Sequence, residues 1–271
     1  MANPILNEKA LNEAARAGWA TPEGAPRSTP IGPMTDGPVS GWQTTHTTMT
    51  VSGTATATGV LLVLLLAAAS VGWSMTGSSL ETTVKFPVLA IVAVFVGFGV
   101  AIFLRFKPML AKFLAPVYAL AEGFFVGVIS RFYNEAYKGI VVQAVGATLA
   151  VFAVMVFLYK TRIIKVTDRF RRNVIMASMG LMLFYGVSII MSLFGVTVPF
   201  IHDASPVGIL FSLFAAGLAT MMLAVDFDMI ERGAKAGWPK GMEWYCAFGL
   251  LATLIWLYLE ILRLIAKLNR R

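Results

Sequence analysis

Four carboxylates stand in or at the edge of long apolar runs of this 271-residue chain: Glu122, Asp226, Asp228 and Glu260. A carboxylate at membrane depth costs several kcal/mol unless it faces a protein interior, pairs with a cation or takes up a proton. The chemistry open to such groups is therefore proton exchange or binding of a hard cation such as Ca²⁺, which takes oxygen ligands. Two carboxylates held close together bind proton and metal competitively.

Each acid has its own local setting. Glu122 lies in Tyr118-Ala-Leu-Ala-Glu-Gly-Phe-Phe-Val-Gly127, with Arg105 and Arg131 as the nearest bases along the chain. It reads either as a proton- or cation-binding group or as an acid bonded to a neighbouring helix. Asp226 and Asp228 lie in Leu223-Ala-Val-Asp-Phe-Asp-Met-Ile-Glu231, where a spacing of two sets them about 200° apart on a helix. Asp226 is the expected inward acid, and Asp228 is expected to meet lipid headgroups. Glu260 lies in Trp256-Leu-Tyr-Leu-Glu-Ile-Leu-Arg263, where Arg263 at i+3 is a possible ion-pair partner.

The elements that must position these acids are membrane helices. Apolar residues make up 58% of the chain and charged ones 13%, too few to coat a soluble globule. Helix is favoured over strand because the apolar runs show no alternation with polar residues. Seven spans are predicted, near Thr54–Met75, Phe86–Leu104, Phe113–Ser130, Ile140–Tyr159, Val174–Phe194, Val207–Val225 and Trp244–Ile265. The expected fold is an all-α integral membrane protein, a seven-helix transmembrane bundle over residues 53–271. Residues 1–52 form a polar extension rich in Pro, expected to be largely disordered, with a short amphipathic helix after Asn3 and Pro4. The first apolar run starts near Gly59, too late for a cleavable signal peptide, so the first span is expected to direct insertion.

The net charge of +8 does not point to nucleic acid, because the basic residues flank apolar spans instead of forming one face. Lys160, Arg162, Lys165, Arg169, Arg171 and Arg172 crowd one linker, which reads as a cytoplasmic loop against anionic lipid. With the N-terminus cytoplasmic, 15 of the 22 Lys and Arg fall inside, so that orientation is expected. Cys246 stands alone and reads as a buried, inert thiol.

An enzyme is not expected, and neither a catalytic residue nor a cofactor is assigned. The two histidines, His46 and His202, fall in polar segments, away from any membrane-embedded Ser, and supply no zinc set. A retinal protein would need a Lys inside the last helix, and Lys267 stands at its end.

Taken together, Glu-Gly-Phe-Phe-Val-Gly in the third span, an Asp late in the sixth and Leu-Tyr-Leu-Glu in the seventh resemble the bacterial branch of the Bax inhibitor-1 family. The resemblance implies a last helix surrounded by the other six, a bacterial plasma membrane location and a pH-sensitive Ca²⁺ leak gated by an acidic pair. That pair would be Asp226 with Glu260, as ligands for Ca²⁺ and protons, and Glu122 would be the acidic position of the third helix. Here Glu260 stands where the family usually has Asp, and Asp228 where it often has Gln. The linker from Glu231 to Glu243 also looks longer than usual. If the sixth helix runs to Ala236 and the seventh begins at Met242, the two acids differ in depth by about 12 Å. Pairing them then requires part of Trp238–Tyr245 to leave the helix, or a different partner for one acid. The resemblance also permits an alternative, a non-conducting regulator of another membrane complex that uses the N-terminal tail as its partner-binding element.

Overall fold

The computed structural model describes residues 48–76, 88–195 and 203–270. The expectations for the tail before Thr48 lie outside the described residues. Seven long helices follow in order: α1 (Val51–Thr76), α2 (Val88–Phe106), α3 (Ala111–Ala136), α4 (Ile140–Lys160), α5 (Asp168–Leu193), α6 (Pro206–Lys235) and α7 (Met242–Asn269). All seven are long and apolar enough to cross a membrane, so the fold is a seven-span all-α membrane bundle.

The predicted spans are found, but several helices outrun them, α6 most of all. Its predicted end at Val225 becomes Lys235. Two ion pairs one turn apart, Asp228 with Arg232 and Glu231 with Lys235, carry the helix past its apolar stretch. The helix then stops at a glycine cap. Gly237 takes φ 65°, its N–H bonds the Ala234 carbonyl, and the Trp238 N–H bonds the Gly233 carbonyl. At the other end Ser205 accepts from the Gly208 N–H and Pro206 begins the first turn. Thr167 opens α5 in the same way by accepting from the Phe170 N–H.

Burial in this bundle follows a membrane logic. Large apolar side chains such as Val63, Phe95, Phe98, Leu149, Leu183 and Leu213 are exposed around the outside. On α7, among the described residues, the only exposed large apolar side chain is Leu268, at its very end. That helix packs against α1, α3, α4 and α6, and reaches α5 through side chains, so it is the central element. The outermost helix, α2, leans mainly on α3.

The closest helix pair is α1 with α3, and glycines make it possible. A Cβ at Gly127 would overlap the Ala69 carbonyl, one at Gly123 the Leu65 carbonyl, and one at Gly72 the Phe124 carbonyl. With no hydrophobic force to press helices together in lipid, such backbone contact is a main source of association. Gly127→Ala is therefore expected to destabilise the purified protein by about 1–3 kcal/mol. Gly99→Ala, where the added methyl meets nothing within 4 Å, serves as the control. Thermal unfolding in detergent reads the difference, and equal midpoints for the two variants would mean the α1–α3 contact is not tight.

Candidate functional site

The four acids fall into four different environments, and the helices decide which. Asp226 points from α6 into α7 and is 4% exposed. Thr253 of α7 faces it, its hydroxyl donating to the Gly249 carbonyl at 3.2 Å, and the Cys246 thiol, also buried, is within its electrostatic reach. Its second oxygen, Oδ2, is buried with no hydrogen-bond partner among the described residues. No cation pairs with it there. Asp228 Oδ2 likewise lacks a well-aligned hydrogen bond, but two arginines lie within 4 Å of it, so of that pair Asp226 is the one without a cation.

Glu260 is the opposite case. It is 1% exposed on α7, yet its carboxylate is fully engaged. The Arg263 guanidinium donates to both oxygens, at 3.1 and 3.0 Å. The Tyr185 hydroxyl of α5 donates to Oε1 at 2.9 Å, and the Trp256 indole N–H reaches the same oxygen at 3.2 Å. Arg263 also donates to the Tyr185 oxygen at 2.9 Å and lies 5.1 Å from the centre of its ring. Glu260, Arg263 and Tyr185 thus form a closed latch between α7 and α5.

Asp228 does not reach the headgroups as expected. It is 8% exposed, one turn before Arg232, whose Nε lies 2.7 Å from Oδ2. Arg171 of α5 approaches the same oxygen at 3.6 Å. Asp168, at the start of α5, contacts both arginines in turn. A second charged latch therefore ties α6 to α5, at the end of the bundle that carries the basic linker. Beside it the Tyr159 hydroxyl of α4 donates to Glu231 at 2.6 Å. Glu122 presses its carboxyl on Gly97 of α2, where even a Cβ would collide with it. It sits at a helix–helix contact on the outer side of α3.

Asp226 and Glu260 are not brought together. Asp226 meets α7 at Thr253, seven residues before Glu260, which is about 10 Å of helix rise. The cause is the connection between them: α6 runs to Lys235 and α7 starts at Met242, the geometry in which the depths cannot match. The described residues contain no group of three or more His, Cys, Asp and Glu able to hold a metal ion. What the arrangement offers is a fully buried carboxyl inside the bundle, Asp226, with no cation beside it among the described residues and one charged latch toward each end.

Sequence reasoning did not find the residues that complete these settings. Tyr185 lies 75 positions from Glu260, and nothing in the local sequence links them. Lys267, at the far end of α7, is buried and donates to the Gly208 carbonyl at 2.8 Å, closing α6 against α7. Glu243, in the first turn of α7, is buried and accepts from both the Thr50 N–H and hydroxyl, at 3.0 and 2.9 Å. It holds Thr50, whose hydroxyl in turn caps α1 by accepting from the Gly53 N–H, across 193 positions of chain. Asp228 with Arg232 was legible as an i,i+4 pair, and would have corrected the headgroup assignment.

A protein-family model described as Bax inhibitor 1 like matches residues 3–270, nearly the whole chain. No curated protein and no solved structure matches.

Removing one partner of the Glu260 latch leaves a buried, uncompensated charge. Arg263→Gln is expected to cost about 3 kcal/mol of stability, at the lower end for broken buried pairs because the arginine is partly exposed. Adding Glu260→Gln removes the stranded charge and is expected to recover much of the loss. A double-mutant cycle of thermal unfolding measures this, and strict additivity of the two losses would show that the latch does not act as a unit.

Proposed function

Since this chain belongs to the Bax inhibitor 1 like family, we propose that it lets cations, Ca²⁺ foremost, leak across the membrane under the control of protons. The observation that carries this reading is Asp226: a carboxyl inside the bundle with one oxygen unpartnered. Such a group is satisfied by a passing cation or by a proton, and the two compete for it. Ca²⁺ is the transported ion in this account and is held only transiently, because a stable site needs more oxygen ligands than Asp226 and Thr253 provide.

The latches on either side act as the gates. Breaking the Glu260–Arg263–Tyr185 contact frees α7 from α5 at that level. Asp228, held by Arg171 and Arg232, closes the opposite end. Proton and cation then compete at Asp226 alone instead of at a shared pair, which accommodates the long α6. Glu122, pressed on α2, lies off this path and is assigned to helix contact. By the positive-inside bias the end carrying the basic linker faces the cytoplasm, in a bacterial plasma membrane. No bond-making chemistry and no cofactor are assigned.

One observation favours the second reading, a non-conducting regulator. Thr48, Met49 and Thr50, directly after the tail, are tied to the α6–α7 connection through Pro239, Trp238 and Glu243. A partner pulling on the tail would act on the helices that carry Asp226 and Glu260.

Ca²⁺ uptake into liposomes holding the purified full-length protein, from about pH 6 to 8, separates the readings. Wild type is expected to conduct less as pH falls, because protons then compete with Ca²⁺ for Asp226. Glu260→Gln is expected to loosen the latch and raise conduction, with a gain of roughly tenfold if the latch contributes about 1.4 kcal/mol to closure. Asp226→Asn is expected to lower Ca²⁺ flux at every pH. Folded wild type with no flux above empty liposomes would sink the leak reading and leave the regulator in its place.

A further inference from the structure

A continuous lane runs along the outside of α7 between α1 and α4, which make almost no direct contact with each other. Two cavities compose it, of about 480 and 930 Å³, and they share Leu62 of α1 and Phe152 of α4. The smaller is almost wholly apolar, with Leu251, Leu254 and Ile255 of α7 as its floor. Its edges, Leu66, Val145 and Leu149, are exposed, so it opens sideways to whatever surrounds the bundle. From Val51 to Trp73 the lane follows 22 residues of α1, about 33 Å of helix rise, comparable to the hydrocarbon thickness of a bilayer.

The larger cavity ends among charges. Lys160, Arg162 and Lys165 line it where α4 gives way to the linker, with Lys235 opposite. Asp228 and Glu231 line it too, but both are engaged, by Arg171, Arg232, Lys235 and Tyr159. Lys160 and Lys165 make no ion pair among the described residues and are exposed. Arg162 holds φ 57°, a left-handed backbone rare for a residue with a Cβ, and of the kind found where a loop is shaped to hold a ligand. The net charge at this mouth is positive.

We propose that this lane holds one anionic phospholipid of the surrounding bilayer, its phosphate on Lys160, Arg162 and Lys165 and an acyl chain along Leu62 and Phe152. A free anion would leave the apolar walls uncovered, and a lipid without net charge would leave the three bases unmatched. The occupant bridges α1 and α4 where the protein itself does not. This inference is independent of whether the bundle conducts ions.

Native mass spectrometry of the delipidated, full-length protein tests it, with dioleoyl phosphatidylglycerol and dioleoyl phosphatidylcholine at equal concentration. Phosphatidylglycerol adducts are expected to dominate. Lys160→Gln with Lys165→Gln, at exposed positions where folding is not at stake, should weaken them by roughly fivefold per charge. Leu62→Trp, which fills the lane between the two cavities, should weaken them with the bases intact. Inorganic phosphate at matched concentration should not displace the lipid. Equal adducts of the two lipids, phosphatidylglycerol binding unchanged in the double Gln variant or in Leu62→Trp, or displacement by phosphate would each overturn the proposal.

Discussion

Within hydrocarbon there is no water to share the cost of a charge, so every ionised group in this bundle has to be answered by the protein or by something passing through it. That constraint sorts the acids. Glu260 is answered by an arginine, a tyrosine and an indole at once. Asp228 is answered by two arginines from two helices. Asp226 has a buried oxygen that no described residue answers. The helix that meets both Asp226 and Glu260 is α7, which almost nowhere touches lipid, and a polar side chain placed on any outward face would have had no such company.

The register between α6 and α7 follows from how α6 ends. Its last turns are held by side-chain ion pairs, and Gly237 then turns the backbone with both hydrogen bonds of a glycine cap. Only six residues separate the two helices, so the depth of every residue on α7 relative to α6 is fixed by that cap. A shorter α6 would have brought Asp226 toward the level of Glu260. As it stands, two carboxyls that might have shared one proton sit in separate surroundings and can respond to different stimuli.

The number and order of the helices were legible because membrane thickness demands long apolar runs, and those are visible one by one in the sequence. Helix ends were less so: the apolar signal of α6 fades at Val225, while the charged turns that extend it look like a loop. At the site, whatever lay within one turn could be read. Arg263 was seen beside Glu260, and Arg232 stood in plain view beside Asp228. Contacts between helices could not be read, because Tyr185, Thr253 and Arg171 carry no local mark of the acid each one meets. The central position of α7 was expected from the family resemblance alone; its sequence is no more apolar than that of its neighbours.

Glu243 has a consequence for how the chain comes to be made. The start of α1 emerges from the ribosome 193 residues before the carboxylate that holds it. At synthesis rates of about 5–20 residues per second, Thr50, whose hydroxyl already accepts from the Gly53 N–H of α1, waits roughly 10–40 s for the acceptor of its own N–H. The first span to insert is therefore completed by the last, and a nascent chain lacking α7 is unfinished at both of its ends.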